Sequence, residues 1–335
     1  AVGLLALVDG IANYPGLAVG GGLHNITEAT ISRSHFVGND ALGGSNNFGS
    51  FAGAANGGGI YNDGSLELSR TTIKHNRALG GNNNLADVNA GGGYGGGLTS
   101  GSVTPLNQDP LPVRSAALQV ERSLVLSNEA IGGDGNGSIT LPFDVPAAHL
   151  PAGGIGGGIV VYQGDADIAN TAIISNLAAG GEGGLGGGGG VFFFGFVGTV
   201  NAELSRSVVA NNTAVGGTDG DGLGGGIAIG GLGSLFAANF PTVEPNVFVN
   251  IQRTDVTGNT AQGGVGADGL GGGIYNGVDA DTVLYRSEVS ENQALAGLGG
   301  EGIGGGVYNL GELEEVHAEI FGNLASTSDD DRFNG

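Results

Sequence analysis

The sequence contains no cysteine, no methionine and no tryptophan. The missing cysteines exclude disulfide bonds, thiol chemistry and thiolate metal sites. Basic residues are scarce, since 10 Lys and Arg stand against 32 Asp and Glu, and the formal net charge is −22. This balance disfavours nucleic acids and anionic membrane surfaces as partners, because both attract basic proteins. No stretch approaches the roughly 18 consecutive apolar residues of a membrane span.

Glycine, in contrast, is abundant and is arranged in a repeat. It supplies 74 of the 335 residues, about three times its usual share of roughly 7%. A glycine triplet recurs along the chain, and an aliphatic residue follows each copy: Leu23, Ile60, Leu98, Ile159, Val191, Ile227, Ile274 and Val307. Internal repetition of this kind indicates a stacked, solenoid-like architecture.

A second motif, [S/T/A]-x-apolar-x-x-N-x-A, lies downstream of each triplet. Its apolar position is filled by Phe36, Ile73, Val125, Ile173, Val209, Val256, Val289 and Ile320. Its asparagines are Asn39, Asn76, Asn128, Asn176, Asn212, Asn259, Asn292 and Asn323. A third column precedes the Ser, Thr or Ala by three residues, at Ile31, Leu68, Val120, Ile168, Leu204, Ile251, Leu284 and Glu315. The three columns define a core repeat of about 31 residues.

The apolar columns predict β-strands. They lie in short, often β-branched segments bounded by Gly, Asn or Asp, and no segment shows helical periodicity. A short strand cannot bury a face alone, whereas stacked copies share one continuous core. We therefore predict an all-β parallel β-helix of about eight coils, with glycine-rich loops at one corner. The predicted segments are an N-terminal cap or donated segment (1–19), the β-helix domain (20–325) and an acidic C-terminal tail (326–335).

Further columns predict how the corners are built. We expect the Asn column to form an amide ladder at a left-handed corner, and the Ser/Thr column to form a second ladder. The glycine-rich linkers should stack as an extra layer of backbone hydrogen bonds, because a Cβ would prevent their close approach. Six arginines precede the Ser/Thr column, and we interpret them as a surface ladder or an anionic-ligand site: Arg33, Arg70, Arg122, Arg206, Arg253 and Arg286. Acids three residues upstream are expected to screen them: Glu67, Asp167, Glu203 and Glu314.

The motifs GGG[I/L/V] and [F/V/I]-x-x-N together resemble the GGA[ILV] and FxxN repeats of polymorphic outer-membrane autotransporters. More broadly, the chain is similar to secreted bacterial right-handed parallel β-helix proteins with glycine-rich turns. The resemblance covers residues 20–325. It implies a right-handed helix, an extracellular or cell-surface location, and a role as a surface adhesin or structural exoprotein.

The stretch GGVGADGLG (263–271) matches the glycine-rich nonapeptide that binds calcium in repeat-in-toxin proteins. Related stretches, GGTDGDGLG (216–224) and AGLGGEGIG (296–304), occur in neighbouring repeats. Stacking would bring Asp221, Asp268 and Glu301 to one corner, where carboxylate and backbone oxygens suit Ca²⁺. Two interpretations stay open here: a calcium site, or solvated acids on a glycine corner. A dinucleotide site is excluded, because G-x-G-x-x-G does not open a helix here.

Eight of the nine prolines lie in three insertions, at 98–116, 135–153 and 228–247, and phenylalanine clusters in and next to the last of these. Strand alternation turns some of residues 192–196 outward, so an insertion covers them or they form an interface patch. The candidate interface residues are Phe192, Phe194, Phe196, Phe236 and Phe240.

The residues that could catalyse a reaction are dispersed. The single lysine, Lys74, has no acidic cluster near it, and the five histidines fall in different columns. We therefore predict a non-catalytic extracellular adhesive or structural rod, with the subunit of a cell-surface fibre as one form of it. The expected partners are further copies of the chain or a surface glycan or protein, without nucleic acid or membrane insertion. The alternative is a β-helix that binds or cleaves a polysaccharide.

Overall fold

The computed structural model describes residues 15–101, 116–138, 150–195, 198–230 and 247–335. Within these ranges the chain forms strands and turns without any helix, and the strands pair in parallel between successive coils. No helix in the described part of the chain is long and apolar enough to cross a membrane. The protein is an all-β parallel β-helix, as the repeat predicts.

Two sheets follow one another closely in each coil. Sheet 1 has eight two-residue strands: Ala18–Val19, Ala55–Asn56, Gly93–Tyr94, Gly154–Ile155, Gly186–Gly187, Gly222–Leu223, Gly269–Leu270 and Gly302–Ile303. Sheet 2 has nine strands: Leu23–Asn25, Ile60–Asn62, Leu98–Ser100, Ile159–Val161, Val191–Phe193, Ile227–Ile229, Ile274–Asn276, Val307–Asn309 and Arg332–Asn334. The glycine triplets form the turn between them.

Three further sheets complete each coil. Sheet 3 contains Glu28–Ser32, Ser65–Ser69, Ala117–Glu121, Gly164–Ala169, Val200–Ser205, Val247–Gln252, Ala280–Tyr285 and Glu312–Val316. Sheet 4 contains His35–Val37, Thr72–Lys74, Leu124–Leu126, Ala172–Ile174, Val208–Ala210, Asp255–Thr257, Glu288–Ser290 and Glu319–Phe321. Sheet 5 contains Asp40–Leu42, Arg77–Leu79, Glu129–Ile131, Leu177–Ala179, Thr213–Val215, Thr260–Gln262, Gln293–Leu295 and Leu324–Ala325. A smaller sheet 6 joins Phe48–Ala52, Leu85–Ala90, Gly137–Ser138 and Leu150–Pro151 beside the early coils.

The three predicted apolar columns are confirmed as the main core. The column after the glycine triplets lies in sheet 2, where Leu23 pairs with Ile60. The column that begins at Phe36 lies in sheet 4, and the column that begins at Ile31 lies in sheet 3. Most of their side chains are fully buried, and the partly buried members, all in the terminal coils, pack against the same cluster: Leu23, Ile31, Phe36 and Ile320. At the one polar position, Glu315 pairs in register with Leu284 and accepts a hydrogen bond from Arg332.

The stacked glycine layer is also confirmed. The strands of sheet 1 pair with one another, and the sheet contacts sheet 5. An added Cβ at Gly222 would lie 2.6 Å from the backbone N and C atoms of Gln262, and closer still to its carbonyl oxygen. Glycine is required there because real Cβ atoms do not approach backbone so closely.

Both predicted side-chain ladders are present. In the Asn column, the side-chain amide of Asn128 donates to Oδ1 of Asn176 at 2.9 Å, and its backbone N–H donates to the same oxygen at 2.9 Å. In the Ser/Thr column, the backbone N–H of Thr171 donates to Oγ of Ser207 at 3.1 Å. The corner is left-handed, and the residue that adopts this conformation is the one before each ladder asparagine, such as His75 at φ 54°.

The C-terminal stretch continues the stack. Arg332–Asn334 pairs with Val307–Asn309 as the last strand of sheet 2. Asp330 and Asp331 accept hydrogen bonds from the backbone N–H groups of Ala325 and Asn323. The predicted acidic tail therefore covers the last coil.

Candidate functional site

The outward face of sheet 3 forms a groove that runs across several coils. Side chains on this sheet alternate between the core and the surface, as the burial of Ser65–Ser69 shows. The outward positions form the floor of a concave site of about 650 Å³. The outward residues that line it are Ser65, Glu67, Ala117, Gln119, Asp165, Asp167, Asn201, Glu203, Phe248, Asn250, Asp281 and Val283.

The groove contains both carboxylate and amide side chains. Asp165 and Asn201 are Cα partners on adjacent strands, and Nδ2 of Asn201 donates to Oδ1 of Asp165 at 3.1 Å. Asp167 and Glu203 are partners on the same two strands, so their Cα atoms are about 4.8 Å apart. No Lys, Arg or His occurs among the described residues that line the groove. The surface therefore accepts hydrogen bonds and repels anions.

One end of the groove adds an apolar platform. The side chain of Phe248 is 42% exposed there. Beside it, Oδ1 of Asn250 is buried and has no hydrogen-bond partner among the described residues. An aromatic surface next to fixed hydrogen-bonding groups suits a ligand with both apolar and hydroxyl-bearing faces, as a sugar ring has.

The three predicted calcium ligands stack at one corner, as their spacing indicates. Oδ1 of Asp221 accepts the backbone N–H of Asp268 at 2.9 Å, and Oδ1 of Asp268 accepts the backbone N–H of Glu301 at 2.7 Å. Burial raises the pKa of Asp221 above its ordinary value, and the hydrogen bond from Asp268 opposes that shift. Among the described residues, no group of three His, Cys, Asp or Glu is arranged to hold a metal ion. Calcium binding by these acids stays a prediction.

Two tyrosines lie close to the same acids. The rings of Tyr275 and Tyr308 are stacked with centroids 5.6 Å apart. Burial, together with the nearby Tyr308 and Asp221, raises the pKa of Tyr275 to about 12. The hydroxyl of Tyr275 is therefore protonated at physiological pH, and it places no additional negative charge beside Asp221.

The predicted aromatic interface is divided between two parts of the chain. Phe192 and Phe194 are 4% and 2% exposed, and their rings lie 5.4 Å apart. They belong to a second core outside sheet 2, whose other members are Ala54, Tyr94, Ile155, Val160, Tyr162 and Ala228. Phe196, Phe236 and Phe240 lie outside the described residues. The interface role of the set stays a prediction.

The sequence did not single out the groove as a site. Glu67, Asp167 and Glu203 were interpreted only as screening charges for the arginine column. Among the described residues, however, no ion pair within 4.0 Å joins them to those arginines. The available signal was a polar residue one position before the core column of sheet 3, which recurs from Thr30 to Glu314 with Val283 as the one exception.

Comparisons with family models, with curated proteins and with solved structures found no match. The repeat geometry alone therefore assigns the class, a parallel β-helix of eight stacked coils with a polar groove along one sheet.

Proposed function

We propose that this protein is a non-catalytic, extracellular adhesive β-solenoid that holds a carbohydrate chain along sheet 3. The groove is the observation that supports this proposal. It presents carboxylate and amide groups from consecutive coils beside the exposed ring of Phe248. A pyranose ring matches such a surface, because its hydroxyls hydrogen-bond to fixed polar groups while its C–H face packs on an aromatic ring.

The length and charge of the groove restrict the kinds of carbohydrate that it can bind. Its lining extends from Ser65 in the second coil to Asp281 in the seventh, so an extended polymer fits it better than a compact molecule. Glu67, Asp165 and Asp167 repel uronates and sulfated sugars. The carbohydrate is therefore a neutral or amino-sugar polymer.

The last coil is where end-to-end association of rods into a fibre would begin. An exposed sheet edge invites pairing with another chain. Here Arg332–Asn334 occupies the edge of sheet 2, and Asp331 occupies the end of the Asn ladder. A second copy that paired with the free edge of Arg332–Asn334 would extend the rod into a fibre.

Binding to a panel of neutral and amino-sugar oligosaccharides, measured by calorimetry, tests the proposal. Asn201→Ala and Glu203→Gln should each weaken binding by about tenfold, since the first removes a hydrogen-bonding group and the second replaces a charged acceptor with a neutral one. Glu314→Gln is the matched control, because Glu314 is in the same column as Glu203 but does not line the groove. The proposal fails if no oligosaccharide binds, or if all three variants bind as the unchanged protein does.

Polysaccharide cleavage is the second candidate. The adjacent carboxylates of Asp167 and Glu203 favour it, because retaining glycosidases hold two carboxyl groups about 5–5.5 Å apart. A reducing-end assay on the bound polymer separates the two functions. New reducing ends that disappear in both Asp167→Asn and Glu203→Gln would identify a hydrolase, whereas binding without new ends supports the adhesive rod.

A further inference from the structure

A row of six arginines lies on the corner between sheets 3 and 4, which does not line the groove. We call it the arginine row: Arg33, Arg70, Arg122, Arg206, Arg253 and Arg286. The corners stack through backbone hydrogen bonds between coils, such as that from Arg70 N–H to the carbonyl of Glu121 at 2.9 Å. All six side chains are exposed. The row therefore presents guanidinium groups along one line parallel to the solenoid axis.

The backbone at these positions does not explain the choice of arginine. All six residues have φ between 47° and 51°, in the left-handed region. Residues other than glycine are uncommon there, and Asn, Asp and His are the most frequent exceptions. The fourth and eighth coils follow that preference with Asn170 (φ 50°) and His317 (φ 56°). Arginine is thus retained against the local backbone preference, and observed strain of this kind points to a function.

The rest of the chain does little to neutralise the row. Among the described residues, Arg122 alone of the six lies within 4.0 Å of a carboxylate, that of Glu121 at 3.2 Å. Arg286 lies over the ring of Tyr285 at 5.1 Å. By contrast Arg77, on sheet 5, donates to both carboxylate oxygens of Asp40 at 2.9 and 2.7 Å. Like charges that repeat at about the 4.8 Å spacing of coils repel one another, so an external anion would stabilise the row.

Apart from Glu121 beside Arg122, the first half of the row has the fewest acids at the next outward position. Two residues after each arginine, the first three coils carry His35, Thr72 and Leu124. In the sixth and seventh coils the corresponding residues are Asp255 and Glu288. The acids of the groove lie three residues upstream of the arginines. This separation is comparable to the Debye length of about 8 Å at physiological salt, so these acids attract the arginines only weakly. Lys74 adds a further positive charge beside the second coil.

We propose that the arginine row is a docking strip for an anionic polysaccharide, with its sulfate or carboxylate groups bound by successive arginines. The planar guanidinium fork binds such groups in a bidentate manner. A linear polymer suits a linear row, and the acidic remainder of the surface confines it there. Single-stranded nucleic acid is disfavoured, because its binding sites provide aromatic platforms for the bases, whereas Tyr285 is the one Phe, Tyr or Trp adjacent in sequence to an arginine of the row among the described residues.

Heparin is the probe for the test, with dextran as the neutral comparison. The unchanged protein should bind heparin with an affinity that falls as salt is raised, and should not bind dextran at this strip. The variant with Arg33→Asn, Arg70→Asn and Arg122→Asn should bind heparin about 10- to 100-fold more weakly, since three exposed ionic contacts are lost. Its melting temperature should be unchanged or higher, because asparagine suits the left-handed backbone.

Arg77→Asn is the matched control, because it removes one positive charge from an arginine that Asp40 already neutralises. It should change heparin affinity by less than about twofold. The groove variant Asn201→Ala should bind heparin normally, so failure of the carbohydrate groove and failure of this strip are distinguishable. The inference is overturned by absent heparin binding, by full binding in the triple variant, or by a lower melting temperature in that variant. Equal affinity for single-stranded DNA would overturn the polysaccharide assignment.

Discussion

The side-chain amide of Asn323 donates a hydrogen bond to Oδ1 of Asp331 at 3.0 Å, and the backbone N–H of Asn323 donates to the same oxygen at 3.1 Å. This repeats the geometry between Asn292 and Asn323 one coil earlier, with aspartate in place of asparagine. An ionised carboxylate accepts hydrogen bonds but has none to donate. Asp331 therefore ends the ladder without requiring a further coil.

Replacing Asp331 with alanine should destabilise the last coil. The change leaves the buried backbone N–H of Asn323 unpaired and removes one of the three acceptors of its side-chain amide, so we expect a loss of about 1–3 kcal/mol. Hydrogen exchange of residues 312–325 measures it. Glu319→Ala in the same coil is the control, because Glu319 is exposed. Equal exchange in both variants would show that Asp331 does not cap the ladder.

Removing an asparagine from the middle of the ladder should cost more. Asn176 accepts from both donors of Asn128 and donates to Oδ1 of Asn212 and to the carbonyl of Val125. Asn176→Ala leaves several buried groups unpaired, so we expect a loss of roughly 3 kcal/mol or more in urea unfolding. Asn201→Ala, which removes an exposed hydrogen bond, should cost less than about 1 kcal/mol. A similar loss in both variants contradicts the ladder's role.

Substitutions at two glycines distinguish the energetic cost of a steric clash from the cost of backbone strain. Gly222→Ala places a Cβ against the backbone of Gln262 without a left-handed φ, whereas Gly38 has φ 64° and open space around it. Gly38→Ala should cost about 1–2 kcal/mol from strain alone. Gly222→Ala should cost about 3 kcal/mol or more, because sheets 1 and 5 must separate. If Gly222→Ala is the milder change in thermal unfolding, the close packing of these sheets is wrong.

Asp221 should make the folded state less stable at neutral pH. Burial raises the pKa of Asp221 from its ordinary value of 3.8, so the folded state takes up the proton at a higher pH than the unfolded chain does. The folded state is therefore fully destabilised at pH values above the pKa that Asp221 has in the folded protein. This destabilisation disappears as the pH falls towards 3.8.

Asp221→Asn should consequently be more stable than the unchanged protein at pH 7, while its Oδ1 still accepts the N–H of Asp268. The difference should vanish near pH 4. Denaturant unfolding of both proteins across this range checks it. A variant that is less stable at pH 7, or a difference independent of pH, contradicts the assignment.

The sequence predicted the coil register because each core column recurs as apolar residues at a fixed offset within the repeat. Leu23, Phe36 and Ile31 head columns that are apolar in nearly every copy, and a strand of period two fixes which side chains point inward. The Asn ladder was predictable for the same reason. Even Glu315, the exception, keeps its place in the column.

Features that depend on contacts between layers were not predictable. Phe192 points outward from sheet 2 as alternation requires, yet sheet 1 supplies Tyr94 and Ile155 to cover that face. Sheet 6 was missed because it occurs only beside the early coils, so it leaves no eightfold pattern. The left-handed arginine corners were missed because arginine has no preference for that conformation. The groove was missed because its floor combines variable outward residues.

Stacking of the coils in register is the central claim, since the groove and the arginine row both consist of columns. The chain has no cysteine, so engineered pairs report register directly. Thr72 and Leu124 are Cα partners on adjacent coils, and a separation of about 4.8 Å allows a disulfide between cysteines placed there. Cysteines at Lys74 and Leu124, two residues out of register, would be about 8 Å apart and beyond disulfide reach. Mild oxidation should cross-link the first pair and not the second; cross-linking of the second pair alone, or of neither, would contradict the registered solenoid.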